Sequence, residues 1–228
     1  MAPPEAKGQK KKLFVRIISA AVLAPVVLIT VYIGTPLFEI LIALASLIMA
    51  YEWGKLCEGR IGWLIVGFFY IGLPCLSLLS LRANPVYGQE ILFWLLSVVW
   101  AADTGAYTFG RLIGGWKLAP IISPNKTWAG LTGGISLAAI TGVLIALLLD
   151  LEITLILFGL SALVGALSQA GDLAESWFKR YFKVKDSGSL IPGHGGLLDR
   201  VDGLLVAAIV VAIINYFLLY RQQNLLSP

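Results

Sequence analysis

At 228 residues the chain could hold one or two soluble domains, but 58% of it is apolar and only 13% is charged, which excludes that class. Two Cys and one His leave no usable set for a disulfide framework or a zinc centre. What remains is a polytopic membrane protein with a net charge of +4, and the expected fold class is an all-α bundle of transmembrane helices.

A helix needs about 20 largely apolar residues to cross a bilayer, and seven runs offer them: 14–33, 36–51, 61–81, 91–109, 129–149, 153–170 and 201–220. Residues 1–12, with Pro3, Pro4, Gly8 and a lysine run, read as a disordered basic tail. The remainder divides into N-terminal membrane helices over 13–100 and a C-terminal catalytic membrane region over 101–228. The first run reads as a retained helix rather than a cleaved signal, because its apolar core is too long. Crowding by Glu52 and Lys55 makes the second run the weakest of the seven.

Lys and Arg set the orientation, since positive loops stay inside. With the N-terminus cytoplasmic, Lys7, Lys10, Lys11, Lys12, Arg16, Lys55, Arg60, Arg111, Lys117, Lys126, Lys179, Arg180, Lys183, Lys185 and Arg200 all fall inside, leaving only Arg82 and Arg221 outside. That asymmetry predicts an odd number of spans and an external C-terminus. Cys57 in a loop and Cys75 in a span are not expected to pair. Glu39 and Glu52 are expected near opposite membrane faces as interface or packing residues. Pro74 should remove one hydrogen bond from the third helix and kink it.

Residues that can do chemistry gather in the second half. Asp103 lies about two turns before the end of the fourth span, at a depth where a charge costs about 2.5–3.5 kcal/mol and needs a partner or a wet cavity. Tyr107 and Arg111 share its helix face. Ser123-Pro124-Asn125-Lys126-Thr127 presents Lys126 from a turn, either as a membrane anchor or as a point charge for phosphate. Gly130 and Gly134 form a small-xxx-small pair that favours close helix packing. The sixth run continues with helical spacing into charged sequence, placing Asp172, Ser176, Lys179 and Lys183 on one stripe. Beyond it, residues 186–196 carry the small residues that let backbone approach an anion. Asp199 and Asp202 then share the first turn of the seventh span, bracketing Arg200. Asp172, Asp199 and Asp202 are oxygen ligands for a hard divalent cation, and Lys126, Lys179, Lys185 and Arg200 supply charge for phosphates. This inventory suits phosphoryl or nucleotidyl transfer, with an ion-coupled transporter as the rival from another class.

Ser176, Lys179-Arg180, Lys185-Asp186, Pro192, His194-Gly195-Gly196, Asp199-Arg200 and Asp202 together resemble the signature of the phosphatidate cytidylyltransferase (CDP-diacylglycerol synthase) family. Asp103-Thr104-Gly105-Ala106-Tyr107 through Gly110-Arg111, and Ser123-Pro124 with Lys126-Thr127, extend the likeness. The resemblance implies that CTP and phosphatidic acid give CDP-diacylglycerol and pyrophosphate with Mg2+, and three carboxylates would accommodate a second cation such as K+. It implies Asp172, Asp199 and Asp202 as metal ligands and, with Lys126, as catalytic residues. Ser176, Lys179, Arg180, Lys185, His194, Gly195, Gly196, Arg200, Asp103, Tyr107, Ser123 and Thr127 would contact substrate. A bacterial inner-membrane location with the site facing the cytoplasm follows, with the bilayer and a second copy in a homodimer as partners and no nucleic acid. One departure is Trp128-Ala129-Gly130 after Thr127, where the family usually has an acidic or polar residue. A lipid kinase using CTP is similar in architecture, and its product would be a phosphorylated lipid without nucleotide.

Overall fold

A computed structural model of the chain describes residues 19, 21–149, 155–188, 190 and 195–220. Among them, helices α1 (Ala21–Ile33), α2 (Leu37–Leu56), α3 (Ile61–Arg82) and α4 (Gly88–Leu112) lead to a hairpin of β1 (Lys117–Ala119) and β2 (Ser123–Thr127). Helices α5 (Trp128–Leu148), α6 (Leu155–Tyr181) and α7 (Leu198–Tyr220) follow. Six of these, α2 to α7, are long and apolar enough to cross a membrane, and α1 is shorter within the described residues. The all-α membrane bundle is therefore the architecture. The basic tail, and the part of the 14–33 run before Ser19, lie outside the described residues.

The second run is not weak at its end. Helix α2 continues to Leu56 and takes Glu52 and Lys55 into its last two turns. Helix α6 likewise runs past its apolar core to Tyr181, so Asp172, Ser176 and Lys179 do share a stripe. Lys183 does not, because the helix has ended and this residue adopts φ 57°, the left-handed conformation of a turn. Helix α3 runs through Pro74 from Ile61 to Arg82.

The hairpin was not foreseen in the sequence. Gly114 and Gly115, with φ of 66° and 86°, reverse the chain after α4. Strands β1 and β2 then pair antiparallel, with Lys117 opposite Thr127 and Ala119 opposite Ser123. Lys126 is thus presented from a strand rather than a turn. Pro124 is tolerated because a two-stranded ribbon is all edge. Thr127 ends the ribbon and starts α5, its Oγ1 accepting from Gly130 N at 3.0 Å.

Helix α4 is the hub and touches α3, α5, α6 and α7. Its buried apolar side chains, Ile91, Leu92, Leu95, Val98 and Val99, meet those of α3 and α7 toward the start of α4. The polar residues collect toward its other end. There, α4 and α5 approach through small residues: a Cβ on Gly134 would lie 2.7 Å from the Ala102 carbonyl, and one on Gly130 2.7 Å from that of Ala106. Helices α6 and α7 cross as closely, with a Cβ on Gly171 falling 2.7 Å from the Asp202 carbonyl. Lipid supplies little hydrophobic drive between helices, so such backbone approach carries the association. Gly134→Val should force α4 from α5 and cost about 1–3 kcal/mol. Unfolding of the detergent-solubilised protein checks this, and an unchanged midpoint would mean that the contact is loose.

Large apolar side chains such as Phe68, Leu47 and Ile156 face outward, as a lipid-exposed surface requires. At the end of the bundle away from the polar residues, Arg82 Nε donates to the Val31 carbonyl at 2.9 Å. Asn84 nearby accepts from the backbone of Val86 and Tyr87. Cys57 and Cys75 are both free and buried, as expected.

Candidate active site

A cavity of about 740 Å3 opens where α4, β2, α6 and α7 converge. Asp103, Tyr107 and Arg111 come from α4, Asn125 and Lys126 from β2, Gln169, Asp172 and Lys179 from α6, and Asp199, Arg200 and Asp202 from α7. Residues far apart in sequence meet here because α4 to α7 present their polar turns at the same end of the bundle.

One network joins β2 to the two central helices. Lys126 Nζ pairs with Asp172 Oδ2 at 2.7 Å and reaches the backbone and side-chain oxygens of Gln169, each at 3.4 Å. The amide nitrogen of Gln169 donates to Asp103 Oδ1 at 2.9 Å. This accounts for a carboxylate deep in α4, since Asp103 has both a donor and a wet cavity. Arg111 Nη1 donates to the Tyr107 hydroxyl at 2.8 Å on the same face of α4.

A second network fixes the start of α7. Lys179 Nζ lies 2.7 Å from Glu175 Oε2 and 2.7 Å from Asp199 Oδ1, and all three side chains are nearly enclosed. The other oxygen of Asp199 accepts from Ser187 N, Ser187 Oγ and Gly196 N at 3.0, 3.0 and 2.8 Å. Glu52, reaching over from α2, accepts from Leu197 N at 2.9 Å and Leu198 N at 3.0 Å. The free amides at this helix start are therefore taken by two of the protein's own carboxylates. The small-residue loop does not offer the amides of Ser187, Gly196, Leu197 or Leu198 to an anion.

Of the residues singled out from sequence, Asp103, Tyr107, Lys126, Asp172, Lys179, Asp199, Arg200 and Asp202 all line the cavity. Ser176 stands behind Asp172, its hydroxyl 3.4 Å from Oδ1. Arg180 donates to the carbonyls of Ile122 and Val184, tying the hairpin to the end of α6. Ser123 and Thr127 hold the two ends of β2, and Lys185 is exposed beyond the cavity wall. Gly195 and Gly196 pack against Asp199 and Glu52, whereas Pro192 and His194 lie outside the described residues. Sequence reasoning missed Gln169, Glu175 and Glu52. The first two were within reach of it, since Gln169 is three residues before Asp172 and Glu175 is four before Lys179 on the same helix.

Among the described residues, no three His, Cys, Asp or Glu side chains converge tightly enough to form a metal centre as they stand. The donor chemistry nevertheless suits a hard cation at one place. Glu175 and Asp202 face each other within hydrogen-bonding reach, and buried Glu175 Oε1 has no donor. Two facing carboxyl groups with an unmatched oxygen call for a proton or a cation between them. Asp199 differs, because its two oxygens already serve four donors.

Fold and cavity together define a helical membrane protein built around a mixed-charge site at one end of its bundle. The chain belongs to the cytidylyltransferase family, whose profile matches residues 58–218. It is 47% identical over 168 residues to the phosphatidate cytidylyltransferase of Brucella suis biovar 1 (strain 1330), an alignment covering 74% of this chain and 61% of that protein. The phosphatidate cytidylyltransferase of Rickettsia bellii (strain RML369-C) is 37% identical over 214 residues, covering 91% of this chain and 92% of the relative. That of Rickettsia typhi (strain ATCC VR-144 / Wilmington) is 37% identical over 216 residues, covering 92% and 94%. The chain thus spans 61% of the length of the Brucella relative and nearly all of the Rickettsia ones.

Proposed function

We propose that the protein transfers the cytidylyl group of CTP to phosphatidic acid, giving CDP-diacylglycerol and pyrophosphate. The observation that carries this reading is the convergence of Lys126, Lys179 and Arg200 with Asp103, Asp172 and Asp202 on one cavity of a membrane bundle. Membership of the cytidylyltransferase family and the names of the relatives support it. An oxygen of the phosphatidate phosphate attacks the α-phosphorus of CTP. A new P–O bond forms as the α–β anhydride bond breaks, and the electron pair leaves with pyrophosphate. A phosphomonoester has its second pKa at about 6, so the attacking oxygen needs no strong base.

Lys126 and Arg200 place positive charge on the phosphates, and Gln169 keeps Lys126 beside Asp172. Asp172 and Asp202, with Glu175 behind them, would hold Mg2+. That ion would neutralise charge on the triphosphate. Asp199 fixes Lys179 and the Ser187 loop.

The site faces the cytoplasm, where CTP is available. Support comes from the basic residues, which crowd the ends of α2, α4 and α6, the starts of α3 and α7, and the hairpin, while Arg82 lies at the other end. The relatives' bacterial sources support an inner-membrane location.

Purified protein given labelled CTP, phosphatidic acid and Mg2+ is expected to yield a lipid-linked cytidine nucleotide and pyrophosphate. If no such product forms in several detergents, the reading fails. A phosphorylated lipid without nucleotide would turn it into a kinase.

A further inference from the structure

Glu52 lies on α2, before the segment that matches the family, yet the residue is 1% exposed and its carboxylate ends among the residues that start α7. Burying a carboxylate is costly unless strong donors meet it. Here two backbone N–H groups at a helix N-terminus do so, in the orientation that the helix dipole favours. The place is built for this group. A Cβ on Gly188 would lie 2.7 Å from Glu52 Oε1, and one on Gly196 2.7 Å from Oε2, so both sides of the loop close around the carboxylate. The neighbouring residue on α2 braces it from behind: Trp53 packs its ring 5.1 Å from that of Phe178 on α6 and donates Nε1 to the Trp63 carbonyl at 2.7 Å.

From these contacts we infer that Glu52 is a positioning residue for the reaction, seating the first turn of α7 so that Asp199, Arg200 and Asp202 face the cavity. This rests on the proposed cytidylyl transfer for its kinetic consequence but not for its structural one. Glu52 and Asp199 divide the work. Glu52 holds the amides of Leu197 and Leu198, whereas Asp199 holds those of Ser187 and Gly196 and passes the constraint to Lys179. A shift of this turn would carry Asp202 away from Glu175 and Arg200 from the phosphates. An ordinary helix cap that served folding alone would lower stability without such selectivity.

Glu52→Gln offers one carbonyl where two acceptors are needed and points an amide N–H2 at a backbone donor. Hydrogen–deuterium exchange of the full chain in detergent should therefore quicken in peptides covering 187–202 while those of α3 to α6 keep their protection. Misplacement of about 1 Å at a reacting centre can cost about 100-fold in rate. The kcat of Glu52→Gln should accordingly fall at least about tenfold, with a smaller change in the KM for CTP, and Glu52→Asp should recover part of it. Because Glu52 and Asp199 act on one turn, Glu52→Gln combined with Asp199→Asn should lose less activity than the product of the two single losses.

Unchanged exchange over 187–202, or wild-type kcat in Glu52→Gln, overturns the inference, as does faster exchange spread across the whole bundle. If the wild-type protein makes no nucleotide-linked lipid, the proposed reaction fails, and the exchange comparison still decides whether Glu52 seats α7.

Discussion

Asp202→Asn is expected to lower the proposed formation of CDP-diacylglycerol by about 1,000-fold while leaving the protein folded in the membrane. Asn has the shape of Asp, and its amide can donate to Glu175 Oε1, which now has no donor. The pair of facing carboxyl groups is thereby relieved, and the unfolding midpoint should hold or rise. What is lost is a carboxyl group able to hold the cation, in a cavity wall that it shares with Lys126, Asp172 and Arg200. Product formation and unfolding should therefore move independently. Near-normal turnover would remove Asp202 from the set proposed to hold the cation, whereas loss of folded protein would show that its charge is structural.

The expectation for Asp202 could be formed from the sequence because charge is rare in this chain and its position is informative. A carboxylate inside an apolar run, such as Asp103, or two at a helix start, such as Asp199 and Asp202, stands out against lipid-compatible surroundings. Helical spacing brought Asp172 and Lys179 to one face of α6, and the structure agrees. The partition of roles was less legible. Asp199 and Asp202 look equivalent in sequence, but Asp199 serves four donors while Asp202 accepts from the backbone N–H of Gly203 and faces Glu175. That difference depends on where the loop around Ser187 returns, which no local pattern encodes.

Glu52 was hidden for a related reason. At the end of an apolar run, with Lys55 one turn on, a glutamate reads as a residue leaving the membrane. Its partners are 145 and 146 residues away in sequence. The hairpin escaped because two short strands between membrane helices have no periodicity to detect, and their pairing is closed by a three-residue turn, Pro120 to Ile122, in which Ile122 N donates to the Ala119 carbonyl at 3.2 Å. Glycines proved ambiguous in the same way. Gly130 and Gly134 pack helices as their spacing suggested, whereas Gly196 gives its N–H to Asp199 and leaves room for Glu52.

Lys179→Met should be the most destabilising single change at the site. The side chain is 12% exposed, and its ammonium lies between Glu175 and Asp199, themselves 2% and 4% exposed. Removing the cation leaves two enclosed carboxylates without their shared partner, and breaking such a buried pair costs about 3–5 kcal/mol. The ion pair of Arg60 with Glu58 is the natural control, because its side chains are 56% and 72% exposed. Arg60→Met should cost no more than about 1 kcal/mol on that account. Unfolding of both variants in one detergent provides the comparison. Adding Asp199→Asn to Lys179→Met should restore part of the loss by removing one of the stranded charges, yet it should not restore turnover, because the Ser187 loop and the start of α7 lose their common tether. If Lys179→Met unfolds like the parent, the three charges are better hydrated than their enclosure implies, and Lys179 becomes free to be a direct phosphate contact rather than the cation that holds the cavity wall together.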